Sequence, residues 1–232
     1  DRYDLSPRSV RPVWLTVAVP QDAKEGVYTS DVVVSCDDGN RVVLPLTLEV
    51  QRYILPEPGE WSYHLDLWQH PTAVARAEGL ELWSDAHFEA LQRNMMLLAN
   101  AGQKVITATL NKDPWNHQCY DGYAPMIEWR LRSDGSWSYN YDVFDRWVEM
   151  MMNLGIDKMI NCYSMIPWNC ELEYFDEAKG EVVTVVANPG TPAFAELWHP
   201  FLLDFKSHLS DMGWLGITNI AVDERAPEQM DA

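Results

Sequence analysis

The sequence predicts an α/β fold, the first four units of a (β/α)8 TIM-type barrel, preceded by part of an all-β sandwich domain. Three observations carry that prediction. Strand and helix patterns alternate from residue 57 onward, which implies a parallel sheet with helices outside it. One face of the early strands is polar or mixed, whereas a doubly wound sheet would be apolar on both. The run Leu55-Pro56-Glu57-Pro58-Gly59 breaks both regular structures and divides residues 1–56 from residues 57–232.

Composition sets the outer bounds. The 232 residues suffice for one large domain, or for a domain and part of another. With 47% hydrophobic and 22% charged residues, the chain has the makings of a packed core. A formal net charge of −18 argues against nucleic acid and anionic membrane surfaces as partners. No apolar run reaches transmembrane length. Eleven Trp and ten Tyr supply flat apolar faces with a polar handle, suited to sugar rings and equally to core packing. Cys36, Cys119, Cys162 and Cys170 form no Cys-x-x-Cys pair, so free buried thiols are expected rather than a zinc or redox site. The sequence opens on Asp1 with no signal peptide before it, so a processed chain or a piece of a longer one is expected.

The first 56 residues read as three strands. Residues 13–19 alternate at period two and stop at Pro20. Residues 27–36 are rich in Val and Thr, Asp37-Asp38-Gly39-Asn40 forms a turn, and residues 41–50 follow as the third strand. Three strands do not cover both faces of a sandwich, so further strands are expected upstream.

Beyond the linker, residues 61–69 read as the first barrel strand, with His64, Asp66 and Trp68 on one face. Ser84 or Asp85 caps a helix over 86–100, and Gly102 ends it. Residues 104–111 form the second strand, with Ile106, Ala108 and Leu110 opposite Thr107, Thr109 and Asn111. An aromatic loop over 113–123 leads to a hairpin turning at Ser133-Asp134-Gly135. Asp142 caps a helix that runs to about residue 154, residues 158–165 form the third strand, and a second hairpin spans 171–187. A third helix covers 192–212, with Pro at its start and Gly213 at its end.

The fourth strand, Ile217 to Val222, ends in the pair Asp223-Glu224. That pair reads in two ways. Acids are favoured in the first turn of a helix. Acids at the C-terminal end of a barrel strand also sit where such barrels keep their chemistry. On the barrel reading, the four strand ends bring together His64, Asp66 and Trp68; Asn111, Trp115 and Asn116; Tyr163 and Trp168; and Asp223 with Glu224. Carboxylates and amides bond hydroxyls, Trp stacks on a ring face, and one acid donates a proton, so this set suits a sugar. Taken singly, each of these residues is more often structural. The six His show no metal-ligand spacing, and no phosphate-binding Gly motif or nucleophile elbow follows a strand. No metal or cofactor is expected.

Four stretches resemble glycoside hydrolase family 123: Arg11-Pro-Val-Trp-Leu-Thr-Val-Ala-Val-Pro with Gly26-Val-Tyr-Thr; Leu55-Pro56; His64-Leu-Asp-Leu-Trp-Gln-His-Pro71; and Val222-Asp-Glu-Arg225. The resemblance implies the end of an N-terminal sandwich and the first half of a catalytic barrel, with the rest of the barrel supplied by further chain. It implies a retaining β-N-acetylgalactosaminidase acting on glycans or glycolipids, in which the substrate's 2-acetamido carbonyl attacks the anomeric carbon. Glu224 would be general acid and then general base, with its pKa raised by burial and by its acidic neighbour. Asp223 would hold the acetamido nitrogen. Alone, the stretch is expected to be inactive. Two other readings stay open: a glycosidase with a carboxylate nucleophile, whose two acids must lie about 5–5.5 Å apart, or a non-catalytic carbohydrate-binding protein. A secreted or periplasmic location is expected, with a cytoplasmic one as the alternative.

Overall fold

The computed structural model describes residues 3–231. The chain divides into two compact units, one up to Pro56 and one from Glu57.

The first unit contains one antiparallel hairpin. Strand β1, Gly26–Ser35, pairs with β2, Arg41–Val50, in unbroken register from Gly26 opposite Val50 to Ser35 opposite Arg41. The acidic turn closes as its sequence predicts: Asp38 Oδ1 accepts from the Asn40 N–H at 3.0 Å, and Gly39 takes φ +89°. Residues 13–19, expected as a third strand, form none, and Trp14 is 92% exposed. Period-two patterning makes a strand only where a neighbour offers N–H and C=O groups, and no described segment pairs with this one.

The second unit is mixed α/β. Its elements are α1 (Pro71–Glu78), α2 (Asp85–Asn100), β3 (Val105–Thr109), β4 (Glu128–Leu131), β5 (Trp137–Asn140), α3 (Asp142–Asn153), β6 (Met159–Tyr163), β7 (Glu171–Asp176), β8 (Glu181–Val186), α4 (Pro192–Asp211), β9 (Thr218–Ala221) and α5 (Pro227–Met230). Strands β3, β6 and β9 form a parallel sheet in that order. They run without stagger: Thr109 lies beside Tyr163, and Tyr163 beside Ala221. The sheet is open, with β9 paired to β6 alone among the described residues, so the described chain closes no barrel.

The alternation read from the sequence sets the two faces of this sheet. Ile106, Ala108, Leu110, Ile160 and Cys162 face the helices and are fully buried with Leu91 of α2, Phe144 and Trp147 of α3 and Phe201 of α4. Thr107, Asn161 and Asn219 line up on the opposite face, followed by Thr109, Tyr163 and Ala221. Ser84 is the cap of α2, its hydroxyl accepting from the His87 N–H at 3.2 Å. Asp142 is the first residue of α3 rather than its cap, which falls on Tyr141. Gly102 takes φ +83°, and a Cβ there would meet Trp61 at 2.9 Å and the Pro58 carbonyl at 3.1 Å. Helix α1 was not foreseen; His87 of α2 pins its start, accepting from the Trp83 N–H and donating to the Pro71 carbonyl.

Two further outcomes differ from the sequence reading. Residues 61–69 do not form a ladder beside β3; one parallel bridge joins Leu65 to Gln103. Two side-chain amides replace the missing backbone bonds. Gln103 accepts from the Leu67 N–H at 2.9 Å and donates to Leu67 O and Val105 O. Gln69 accepts from the Thr107 N–H at 2.7 Å and donates to Val105 O at 3.2 Å. Both glutamines are 2% exposed, so the seam is dry and every bond in it counts. The two hairpins, expected as separate insertions, join through parallel β4 and β7 into one four-stranded sheet, β5-β4-β7-β8. Either hairpin alone would leave an apolar face wet. Joined, they seal Trp129, Tyr139 and Leu172 over α4, where Trp129 stacks on Phe201 at 4.3 Å.

Replacing Gln69 with Leu keeps the volume but strands the buried Thr107 N–H. A loss of about 1–3 kcal/mol is expected, read as a lower thermal midpoint of the intact protein. His87 is buried, and burial holds its pKa below the ordinary 6.5 against the opposing bond to Pro71. The unfolded chain therefore takes up the proton first as pH falls. Stability from this group is full above about pH 6.5 and is lost as pH drops below it. Thermal midpoints recorded from about pH 8 to about pH 5 are expected to fall more steeply for wild type than for His87→Gln.

Candidate active site

The level ends of β3, β6 and β9 aim three loops at one place. After β3, Asp113 organises the loop. Its carboxylate accepts from the His117 N–H at 2.7 Å and the Tyr123 N–H at 3.3 Å, while its own N–H donates to Tyr123 O. This turn seats Trp115, which is 2% exposed. After β6, the Trp168 N–H donates to Pro114 O at 2.9 Å and ties the second loop to the first. After β9 come Asp223, Glu224 and Arg225.

Asp223 is held by both tryptophans. The Trp115 indole N–H donates to its Oδ2 at 3.0 Å, and the Trp168 indole N–H donates to its backbone carbonyl at 3.2 Å. Arg225 closes the ring of loops by donating to Trp168 O at 3.0 Å and to Cys170 Sγ at 3.5 Å. Glu224 is exposed and takes φ +48°, a left-handed conformation that costs a non-Gly residue about 1–2 kcal/mol. In an extended chain, neighbouring side chains point to opposite faces. The left-handed residue breaks that alternation directly beyond Asp223. The burial of Glu224 expected from the sequence is absent within the described residues.

The wall of the site is aromatic. Trp115 meets Tyr163 at 5.0 Å and Tyr123 at 4.5 Å, and Trp68 meets Trp115 at 5.1 Å and Tyr163 at 5.0 Å. Trp68 remains 44% exposed and so presents a free indole face. Burial, reinforced by the charges of Asp66 and Asp223, pushes the Tyr163 phenol up to about 12, which keeps it a donor. Asp66 is itself raised by burial, against the opposing Asn161 hydrogen bond and the His64 charge. Asn161 Nδ2 donates to Asp66 Oδ2 at 3.3 Å, whereas Asp66 Oδ1 is buried without a partner among the described residues.

Of the residues singled out in the sequence, the structure joins Trp68, Trp115, Tyr163, Trp168 and Asp223 directly, with Asp66 beside Tyr163. His64 is exposed near Asp66. Asn116 is exposed, its N–H closing a turn on Asp113 O. Asn111 is buried, and its amide donates to Ser164 O at 3.0 Å. Four residues were missed: Asp113, Tyr123, Asn161 and Arg225. Asn161 was within reach, because the period-two rule that places Tyr163 on the inner face places Asn161 there too. The thiols are free as expected, but Cys36 and Cys119 are exposed and only Cys162 and Cys170 are buried. No group of His, Cys, Asp or Glu among the described residues has the arrangement of a metal site.

Residues 68–232 match the catalytic domain of glycoside hydrolase 123, and residues 1–36 match that family's N-terminal domain. The chain belongs to glycoside hydrolase family 123 and carries part of its catalytic domain. It superposes on the solved structure of a family 123 glycoside hydrolase from Clostridium perfringens, studied for glycolipid glycan hydrolysis, with a TM-score of 0.85 at 34% identity. The match covers 91% of this chain and 38% of that one. No curated protein matches the sequence.

A hydrogen bond to a charged group contributes about 1.5–3 kcal/mol, so Trp115→Phe is expected to release the Asp223 carboxylate from its position, read as a displaced or disordered Asp223 side chain in a crystal structure of the variant. The ring packing survives the change, and the thermal midpoint is expected to move little.

Proposed function

We propose that the chain supplies the acid pair of a retaining exo-β-N-acetylgalactosaminidase, which hydrolyses terminal β-linked N-acetylgalactosamine with the substrate's own acetamido group as nucleophile. The observation that carries this is the unequal treatment of two adjacent acids. Asp223 is fixed by two indoles, while Glu224 is left exposed at the strand end. A protein nucleophile and a proton donor must flank the anomeric carbon from opposite sides. Two neighbours on one strand end are poorly placed for that. They suit a substrate that brings its own nucleophile.

In the first step the acetamido oxygen bonds to the anomeric carbon as the glycosidic C–O bond breaks. The Glu224 carboxyl gives its proton to the departing oxygen, and the Asp223 carboxylate accepts the acetamido N–H of the forming oxazolinium. In the second step Glu224 takes a proton from water as the water oxygen bonds to the anomeric carbon and the ring's anomeric C–O bond breaks, which restores the acetamido group and retains the configuration overall. Trp68 offers a face for the sugar. The glycolipid glycan work on the Clostridium perfringens relative supports a glycolipid or glycan substrate here.

In the same reading, residues 57–232 are the first half of a (β/α)8 barrel and residues 1–56 the end of a β-sandwich domain. The open edge of β9 supports completion by further chain, since an unpaired strand edge invites aggregation. A glycan substrate favours a secreted or periplasmic protein.

The test compares chromogenic β-N-acetylgalactosaminide with β-galactoside, using the intact protein and its Glu224→Gln variant. Cleavage of the N-acetylated substrate alone, lost in the variant, is expected. Equal cleavage of both would end the substrate-assisted reading and point to a carboxylate nucleophile.

A further inference from the structure

Strand β8 is a sheet edge without the usual protection. It pairs with β7 on one side, and no described segment pairs with it on the other. Native edges are blunted by Lys, by Pro, by a bulge or by shortness. The six residues Glu181–Val186 contain no Lys or Pro, and their register to β7 is unbroken. The opposite edge of the same sheet, β5, is only four residues long.

The open backbone groups can be assigned. The Ala187 N–H donates to Cys170 O at 2.9 Å, so the odd-numbered residues of β8 are the ones bonded to β7. By alternation, Val182, Thr184 and Val186 turn their N–H and C=O groups to the open edge. Their side chains share the outer face, where Val182 is 61% and Val186 60% exposed. Val183 and Val185 lie on the inner face and are half-buried.

We propose that a second copy of this chain docks on this edge, antiparallel, about a two-fold axis through Thr184. The sequence selects that occupant, because Val182-Val183-Thr184-Val185-Val186 reads the same in both directions. Turned over on itself, the strand sets Thr184 opposite Thr184 of the partner subunit and Val182 opposite Val186 of the partner subunit. Every outward-facing residue then meets another. Each such pair exchanges two backbone bonds, so the seam gains about six. Pairs of β-branched side chains suit directly opposed positions. An isologous contact of this kind closes at two copies.

Register and charge agree with this arrangement. The neighbouring registers set an outward valine against Gly180 or Asn188, which lie outside the strand. In the proposed register Glu181 falls opposite Ala187 of the partner subunit, so no like charges face one another along the seam. A five-residue seam buries less than the roughly 1,200–2,000 Å² of a stable interface, so the pair is reversible. The net charge of −18 on each copy opposes association, and salt relieves that repulsion.

Sedimentation of the intact protein tests the pairing. Between about 1 and about 200 µM in about 0.5 M salt, wild type is expected to pass from monomer to dimer, and to stay more monomeric in low salt. Thr184→Lys places two cations face to face. It is expected to lower the association constant at least about tenfold, although it makes the net charge less negative. Its thermal midpoint is expected to match wild type, because Thr184 is exposed. Oxidative cross-linking reads the register. Cα atoms in a hydrogen-bonded pair lie about 5.5 Å apart, within reach of a disulfide. With the exposed thiols removed by Cys36→Ser and Cys119→Ser, Thr184→Cys is expected to give a covalent dimer. Val182→Cys, about 14 Å from its own copy, is expected to give none. A monomer at every concentration, a dimer unchanged by Thr184→Lys, or equal cross-linking through both cysteines would overturn the proposal.

Discussion

The parallel register of β3, β6 and β9 is the constraint on which the site depends. Because Thr109, Tyr163 and Ala221 lie abreast, the three following loops leave the sheet at one level. A slip of one residue in β9 would turn its inner face towards the helices and carry Asp223 away from the Trp115 indole. The helix-facing residues hold the register through packing. The inner residues hold it through Thr107, whose hydroxyl accepts from the Gln69 backbone N–H, and Asn161, whose side-chain amide donates to the Asp66 carboxylate.

Polar side chains repeatedly do the work of backbone here. Gln69 and Gln103 stand in for a strand ladder, Asp113 for the second half of a turn, and Arg225 for a loop-to-loop bond. Two tryptophans follow the same logic on the core side: Trp147 donates to Thr107 O and Trp129 to Leu110 O, each at about 3 Å. These bonds fix irregular segments where a regular ladder would take up the space of the site. Being buried, they favour a single arrangement of the loops over many loose ones. The functional consequence is a rigid Asp223 beside a Glu224 left open to solvent.

Much of this was legible in the sequence. The alternation of strands and helices, both hairpins, the Ser84 cap and the acid pair at a strand end follow local rules, and local rules are what a sequence displays. What escaped depended on distant partners. Residues 13–19 carry a strand pattern but meet no neighbour among the described residues, so the pattern stays unused. Residues 61–69 carry one too, and lose their ladder to two glutamines whose role no spacing announces. The merging of the hairpins is a pairing between segments some forty residues apart. At the site, the aromatic residues and Asp223 were found because strand ends converge. Asn111 was placed with them by the same rule, but the chain bends after Thr109 and turns its amide towards Ser164. Asp113 and Arg225 were missed because they act on loops rather than on a strand face.

The central claim is that Asp223 is held in place to receive the substrate's acetamido group. The most direct measurement is a crystal structure of the intact protein with the thiazoline of N-acetylgalactosamine, a stable mimic of the cyclised intermediate. The ring nitrogen is predicted to lie within hydrogen-bond distance, about 3 Å, of the Asp223 carboxylate, with the Trp115 bond unbroken. A mimic bound with its five-membered ring turned away from Asp223, or with another carboxylate seated against the anomeric carbon, would contradict it.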